Sequence, residues 1–278
     1  MRSLLIAVAI AAGSVVQAAT PIQMLLDKGK AIPAYQETSV QGQQMYLAAL
    51  QRARMAERMA QLINSTFLLK QDVTVVIRSC GVVNAFFQPG TNEISICTEM
   101  VEMIGRLASE DADFMNQNSR EQFALKIEGL LWSIFLHELG HALVHVNKVP
   151  ITGREEDVAD QFVVWYGAHF VDFNKAALFI PTVWYWSRMS KLSDLPSMSP
   201  DQRRAYLANE HSLDGVRVFN VACWAFGTGL AEGIESARAV QLPRERMLRC
   251  PNEWEKADAS MRTLFKKYVK VAPFRGPW

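Results

Sequence analysis

The residues best suited to chemistry lie in one short run, His137-Glu138-Leu139-Gly140-His141. Two histidines four positions apart fall on one face of a helix, about 6 Å apart at Cβ, so both imidazoles can reach one metal ion. Glu138 stands one residue along, where its carboxylate can meet a water on that ion. Zinc would lower the pKa of the water toward ~7 and polarise a substrate carbonyl, while Glu138 takes the proton as general base. The bland alternative is an exposed helix face that carries two histidines by accident. Leu130, Leu131, Ile134, Phe135 and Leu136 just upstream argue against it, because they place the run in a buried helix. Polar groups left unpaired there would be costly.

A catalytic zinc takes three protein ligands and leaves one position open. The candidate segment for the third is Gly153-Arg154-Glu155-Glu156-Asp157-Val158-Ala159-Asp160. Glu156 and Asp160 share a helix face. Glu156 can ligate the ion, and Asp160 can accept a hydrogen bond from a ligating imidazole and so set its tautomer. Glu155 falls at the capping position after Thr152, which would occupy its carboxylate at the helix N-terminus. Taken alone, three acids in a first turn are what any helix N-terminus favours. Beside the histidine run they read as ligands.

His137-Glu138-x-x-His141 followed by Glu156-x-x-Ala159-Asp160 resembles the glutamate-zincin metallopeptidases, in which a Glu on a second helix is the third zinc ligand. With Cys80-Gly81-x-x-Asn84-Ala85-Phe86 and Gly153-Arg154-Glu155-Glu156-Asp157 added, residues 35–255 are similar to a family of exported bacterial metallopeptidases defined as a domain of unknown function. The resemblance implies a zincin-like fold, one Zn2+ per chain and a peptide or protein substrate. It also implies that Asn84 and Ala85 lie on an edge strand that pairs with substrate backbone. A structural Asn in the turn after Gly81 fits the sequence equally well. Zincins commonly stabilise the oxyanion with a downstream His, Tyr or Arg. His211 is the candidate here and Arg217 the runner-up, against a purely structural Glu210–His211–Asp214 cluster. His145 reads as a surface residue or one that supports a ligand, and His169 as a satisfied core residue.

The elements that must position these groups follow from periodicity. Residues 19–42 read as irregular and polar, and 43–63 as one amphipathic helix. Val73–Ile77, the run near Val82-Val83 and the alternating Glu93–Cys97 read as strands, with a turn at Gln88–Asn92. Together they predict a small antiparallel sheet with a hairpin. Ser119 with Gln122 predicts a helix to about Val146, Thr152 with Glu155 one through His169, and Ser199-Pro200 with Gln202 a third. No repeat or linker interrupts the pattern. The expectation is α+β, a small antiparallel sheet followed by a mostly helical region, as one domain over residues 19–278. Trp184-Tyr185-Trp186 reads as core rather than as a binding platform.

Residues 1–18 belong to export. Arg2, the apolar run Leu4–Ala12 and the small-residue pattern Val16-Gln17-Ala18 predict cleavage after Ala18, and the apolar stretch is short of the roughly 20 residues a span needs. The mature chain is then periplasmic or secreted, with no stable membrane insertion. Removing Arg2 leaves 28 residues of each charge sign, with no basic surplus for nucleic acid. In an oxidising compartment the four cysteines read as two disulfides. Cys80–Cys97 and Cys223–Cys250 are the first choice of three pairings, each worth about 3 kcal/mol.

Two other functions compete. In a deformylase-like amidohydrolase, Cys97 would join His137 and His141 on the metal. In a catalytically silent zinc-binding protein that docks cell-envelope partners, Glu138 would have no chemical task.

Overall fold

The computed structural model describes residues 26–111, 120–170, 175–192 and 195–270. The export segment 1–18 and the capping residue Ser119 lie outside them. The chain runs β1 (Ala31–Tyr35), α1 (Gln43–Arg52), α2 (Met55–Thr66), β2 (Val73–Arg78), β3 (Ala85–Gln88), β4 (Glu93–Cys97) and α3 (Thr98–Ser109). Then follow α4 (Arg120–Asn147), α5 (Glu155–His169), α6 (Lys175–Leu192), α7 (Pro200–Leu207), α8 (Asp214–Gly227), α9 (Ala231–Ala239), α10 (Arg244–Met247) and α11 (Cys250–Phe265). A small sheet with a mostly helical remainder is the α+β class expected.

The sheet differs from expectation in its pairing. Its order is β1–β2–β4–β3, with β1–β2 and β2–β4 parallel and only the β3–β4 hairpin antiparallel. The hairpin was legible because its turn is local: Asn92 takes φ 52°, a left-handed conformation that Asn tolerates. The parallel pairings are distant in sequence and carry no turn signal. β1 itself falls in the stretch read as irregular. Val82 and Val83 are not strand but an exposed bend, at 57% and 50% exposure. Val73, Val75, Val76 and Ile77 of β2 are all buried, which is the continuous apolar run of a strand covered on both faces.

The predicted 43–63 helix is two helices. Arg54, at φ 53°, breaks the run, and neither Ala53 nor Arg54 is a residue that announces a stop. The Ser199–Gln202 capping box opens α7 as expected. The Thr152–Glu155 box does not form: Arg154 is the N-cap of α5, and Glu155 is its first residue.

Helix α4 carries the histidine run through the centre of the molecule. Leu130, Phe135, Leu136, Leu139, Ala142 and Leu143 are fully or nearly fully buried around it, as expected of a helix apolar on most faces. It packs against β3 and β4 on one side and against α5 and α6 on the other. At Gly140 a Cβ would sit 3.1 Å from Ala159 Cα, so the missing side chain lets α4 and α5 approach closely where their polar residues meet. Asn147 anchors the far end, donating to Leu68 O at 3.0 Å and accepting from Lys70 N at 3.2 Å.

Both expected disulfides are present. Cys80–Cys97 joins the chain beyond β2 to the end of β4, and Cys223–Cys250 joins α8 to the start of α11. No helix among the described residues is long and apolar enough to cross a membrane.

Candidate metal centre

His137 and His141 leave α4 one turn apart, and their Nε2 atoms are 3.3 Å from each other. Glu156, in the first turn of α5, meets both: Oε2 lies 3.0 Å from His137 Nε2, and Oε1 lies 3.4 Å from His141 Nε2. A third imidazole arrives from the loop between α7 and α8. His211 Nε2 is 3.0 Å from the same Glu156 Oε2. Three imidazoles from two parts of the chain thus gather around the Glu156 carboxylate of a third.

The opposite ring nitrogens are all occupied by oxygen. His137 Nδ1 lies 2.9 Å from Asp160 Oδ1, His141 Nδ1 lies 2.8 Å from Glu155 Oε1, and His211 Nδ1 lies 2.9 Å from Asn209 Oδ1. An oxygen beside Nδ1 favours the proton there, so that Nε2 is the nitrogen a metal would take once its own proton is displaced. Glu155 therefore does not cap its helix, as its position after Thr152 predicted; it orients His141.

Asp160 is itself held. Arg217 of α8 donates from Nε to Oδ2 at 2.8 Å and from Nη2 to Oδ1 at 2.7 Å, while its guanidinium stacks 3.5 Å over the Trp186 ring. Arg217 was the runner-up for oxyanion stabilisation. At 4% exposure, with its fork committed to Asp160, it is part of the frame instead. Sequence reasoning missed this pairing. Its one signal was that a buried Asp160 needs a cation.

Charges in the cluster follow from these contacts. Burial opposes charge on Asp160, yet Arg217 and His137 hold its carboxyl down at about 2. Burial opposes charge on His137 too, but Asp160 and Glu156 hold it up at about 9. His141 is raised against its own burial, chiefly by Glu156. Glu156 would be raised by burial, but the imidazoles around it carry it well below the usual carboxylate range.

Glu138 points the other way. Its Oε2 accepts the backbone N–H of Phe87 at 2.8 Å, which ties α4 to edge strand β3. Burial raises its carboxyl above the usual value. Asn84 and Ala85 stand just before, Asn84 exposed and Ala85 buried at the start of β3. The loop that carries Asn84 is gathered by Glu99, whose carboxylate accepts from Ser79 Oγ, Cys80 N and Gly81 N at 2.6–3.0 Å. Nothing in the sequence singled out Glu99.

Asn84, Ala85, His137, Glu138, Asp160 and His211 all border one cavity of about 110 Å³. Its inner wall is apolar, formed by Met100, Leu130, Ile134, Val163, Tyr185 and Val221, with the paired hydroxyls of Ser133 and Thr182 at 2.6 Å. Tyr185 and Trp186 border it as well, so the aromatic run serves both core and cavity.

The other candidates lie elsewhere. His145 is exposed beside the Phe87 ring, and His169 pairs with Asp258 at 2.6 Å. Cys97 is buried in its bridge to Cys80 and has no thiolate to offer, which removes the deformylase-like ligand set.

The donor set fits a divalent ion. Tetrahedral donors at bond lengths of about 2.0–2.1 Å stand roughly 3.3–3.4 Å apart. The separations of 3.0–3.4 Å between the Nε2 and carboxylate atoms are of that size. Nitrogen with one carboxylate suits zinc and its neighbours in the transition series. No curated protein and no solved structure matches the chain significantly. A protein-family model described as "Putative metallopeptidase" does match, over residues 35–265. With that match covering most of its length, the chain belongs to this metallopeptidase family.

Proposed function

We propose that the protein is a zinc-dependent peptidase of the glutamate-zincin type, with His137, His141 and Glu156 as ligands and Glu138 as general base. The observation that carries the reading is the shared cavity: His137 and His211 of the cluster border the same space as Glu138. A divalent ion held by the cluster supplies Lewis-acid polarisation of a carbonyl and acidification of a water molecule.

The remaining steps belong to the chain. Glu138 takes a proton from water and returns it to the leaving amine. Burial raises its carboxyl above the usual value, the direction that makes a carboxylate a better proton acceptor. Phe87 N–H holds one oxygen and leaves the other for the water. Asp160 and Glu155 hold the ligand imidazoles in the Nδ1–H tautomer, and Arg217 keeps Asp160 ionised. An extended peptide adds along β3 by backbone pairing, with Asn84 and Ala85 beside the scissile bond, and the apolar wall takes an adjoining apolar side chain.

The two disulfides support an oxidising compartment. We read residues 1–18 as a cleaved signal and 19–278 as one mature domain, periplasmic or secreted. The test uses zinc-loaded protein from residue 19 onward against a broad peptide mixture, beside Glu138→Gln at matched zinc content. Cleavage by wild type alone supports the reading. Equal cleavage by both, or by neither with zinc bound, rejects it.

A catalytically silent metal-binding protein is the second reading. One observation favours it: a third imidazole, His211, meets Glu156 beside His137 and His141, where three protein ligands would leave a position open.

A further inference from the structure

The place of His211 points beyond the three-ligand reading. We propose that His211 is a fourth, exchangeable protein ligand, so that the resting centre is closed by His137, His141, Glu156 and His211 and opens only when His211 withdraws. The inference rests on the metallopeptidase reading and concerns the regulation of that same site.

Three observations carry it. His211 Nε2, His137 Nε2 and a Glu156 oxygen lie within 4.8 Å of one another, a spacing that one ion can bridge. The His211 ring is prepared like the other two: Asn209 Oδ1 faces Nδ1 at 2.9 Å and also accepts the His211 backbone N–H at 2.8 Å. A local turn thus selects the tautomer that presents Nε2. The side chains of His137 and Glu156 are 11% exposed, whereas that of His211 is 44% exposed. It is the one donor with room to leave.

Its loop is pinned on both sides and exposed between. Ser212 Oγ donates to Asp157 Oδ1 of α5 at 3.1 Å, and Tyr206 Oη donates to Asp214 Oδ2 at 3.2 Å. Between these anchors, residues 208–211 are exposed. A rotation of the His211 side chain clears the fourth position without moving α5 or α8. The position it vacates borders the cavity that Glu138 and Asn84 share, so a substrate carbonyl entering there competes with His211 for the same place. Four protein donors mark a structural zinc site, and three plus an open position a catalytic one. An exchangeable His211 lets one chain present both states.

The test reads metal coordination rather than turnover. Co2+ is titrated into metal-free wild type, His211→Ala and the exposed control His145→Ala, following the visible d–d bands, and Zn2+ affinity is measured by chelator competition. The proposal expects His211→Ala to bind Zn2+ about 10–100-fold more weakly, as when a metal site loses a supporting contact. It also expects changed Co2+ bands in that variant, with His145→Ala like wild type. Acetohydroxamate, a chelating probe for the open position, should bind Co2+-loaded His211→Ala at least about tenfold more tightly than wild type, since no protein ligand need be displaced.

Unchanged Zn2+ affinity and unchanged bands in His211→Ala, with both altered in Glu156→Ala, would overturn the fourth ligand alone. Unchanged affinity in His137→Ala and Glu156→Ala would overturn the centre itself. Circular dichroism of each metal-free variant checks that the fold is intact, so that weakened binding is read as lost coordination.

Discussion

The backbone N–H of Phe87 and the side chain of Glu138 meet at 2.8 Å, joining the edge strand of the sheet to the helix that carries the histidines. The contact sets the direction of the carboxylate, and it means that the strand proposed to hold substrate and the proposed base move as one body. Register matters here. Phe87 pairs with Ile94 in the hairpin but turns its N–H outward, away from β4.

A first prediction follows for stability. Glu138→Gln keeps an oxygen for the Phe87 N–H and removes a buried carboxyl whose ionisation burial disfavours, so its thermal midpoint should equal or exceed that of wild type. Glu138→Ala leaves that N–H without its acceptor and should cost about 1–3 kcal/mol in urea unfolding. Equal losses in the two variants would mean that the contact does not organise the site. If Glu138 is the base, the Gln variant should also lose about 10²–10⁴-fold in turnover.

Arg217→Met should be among the most damaging single changes in the molecule. Asp160 is 4% exposed and both of its oxygens are taken up by the guanidinium. Removing the guanidinium leaves the buried carboxylate with only His137 beside it, at a cost of about 3–5 kcal/mol. Arg217→Lys, which keeps the charge but not the fork, should fall between the two. Urea midpoints of the metal-free proteins decide it; a loss within about 0.5 kcal/mol for the Met variant would be that of an ordinary surface residue.

The same pair predicts an acid limb. Asp160 titrates at about 2 in the folded chain, below its ordinary 3.8. Its contribution to stability is therefore present above pH 3.8 and is lost as pH falls from 3.8 through 2. The integrated loss from this group is about 2 kcal/mol. Denaturation of metal-free protein at stepped pH should show wild type losing more over that window than Asp160→Asn does. Parallel curves would refute the assignment.

Gly140→Ala tests the approach of α4 to α5. Helix propensity favours the change by about 1 kcal/mol. Against it, the new methyl meets Ala159 Cα at 3.1 Å, backbone that cannot rotate away, and overpacking of this kind costs about 1–3 kcal/mol. The clash should win by up to about 2 kcal/mol. Because Ala159 lies between Glu156 and Asp160 on α5, Zn2+ affinity should fall together with stability. A stabilised variant with unchanged affinity would show that the helices have room to spare.

Much of the candidate centre was legible before the fold was known, because its geometry is local. His137 and His141 are one helical turn apart, and Glu156 and Asp160 are one turn apart on the next helix, so spacing alone placed each pair on a face. The cysteine pairs were legible for a similar reason, since both bridges close short loops. The capping box at Ser199 and the hairpin at Gln88–Asn92 were equally local, each written in residues within four positions of one another.

What only tertiary structure decided is whatever joins distant segments. His211 lies 55 residues beyond Glu156, yet shares an oxygen with His137; its sequence neighbours Glu210 and Asp214 suggested a cluster among themselves, and Asn209 proved to be the partner. Arg217 reads as a helical cation free to meet substrate until Asp160 is seen beside it. Glu155 is spelled as a cap and serves as a partner for His141, because helix α5 begins two residues later than the Thr152 pattern implies. The parallel pairing of β2 with both β1 and β4 has no turn to announce it. Local backbone preferences act over a turn or two of chain, whereas pairing across the core is chosen by which buried charges and strand edges can satisfy one another in the packed molecule.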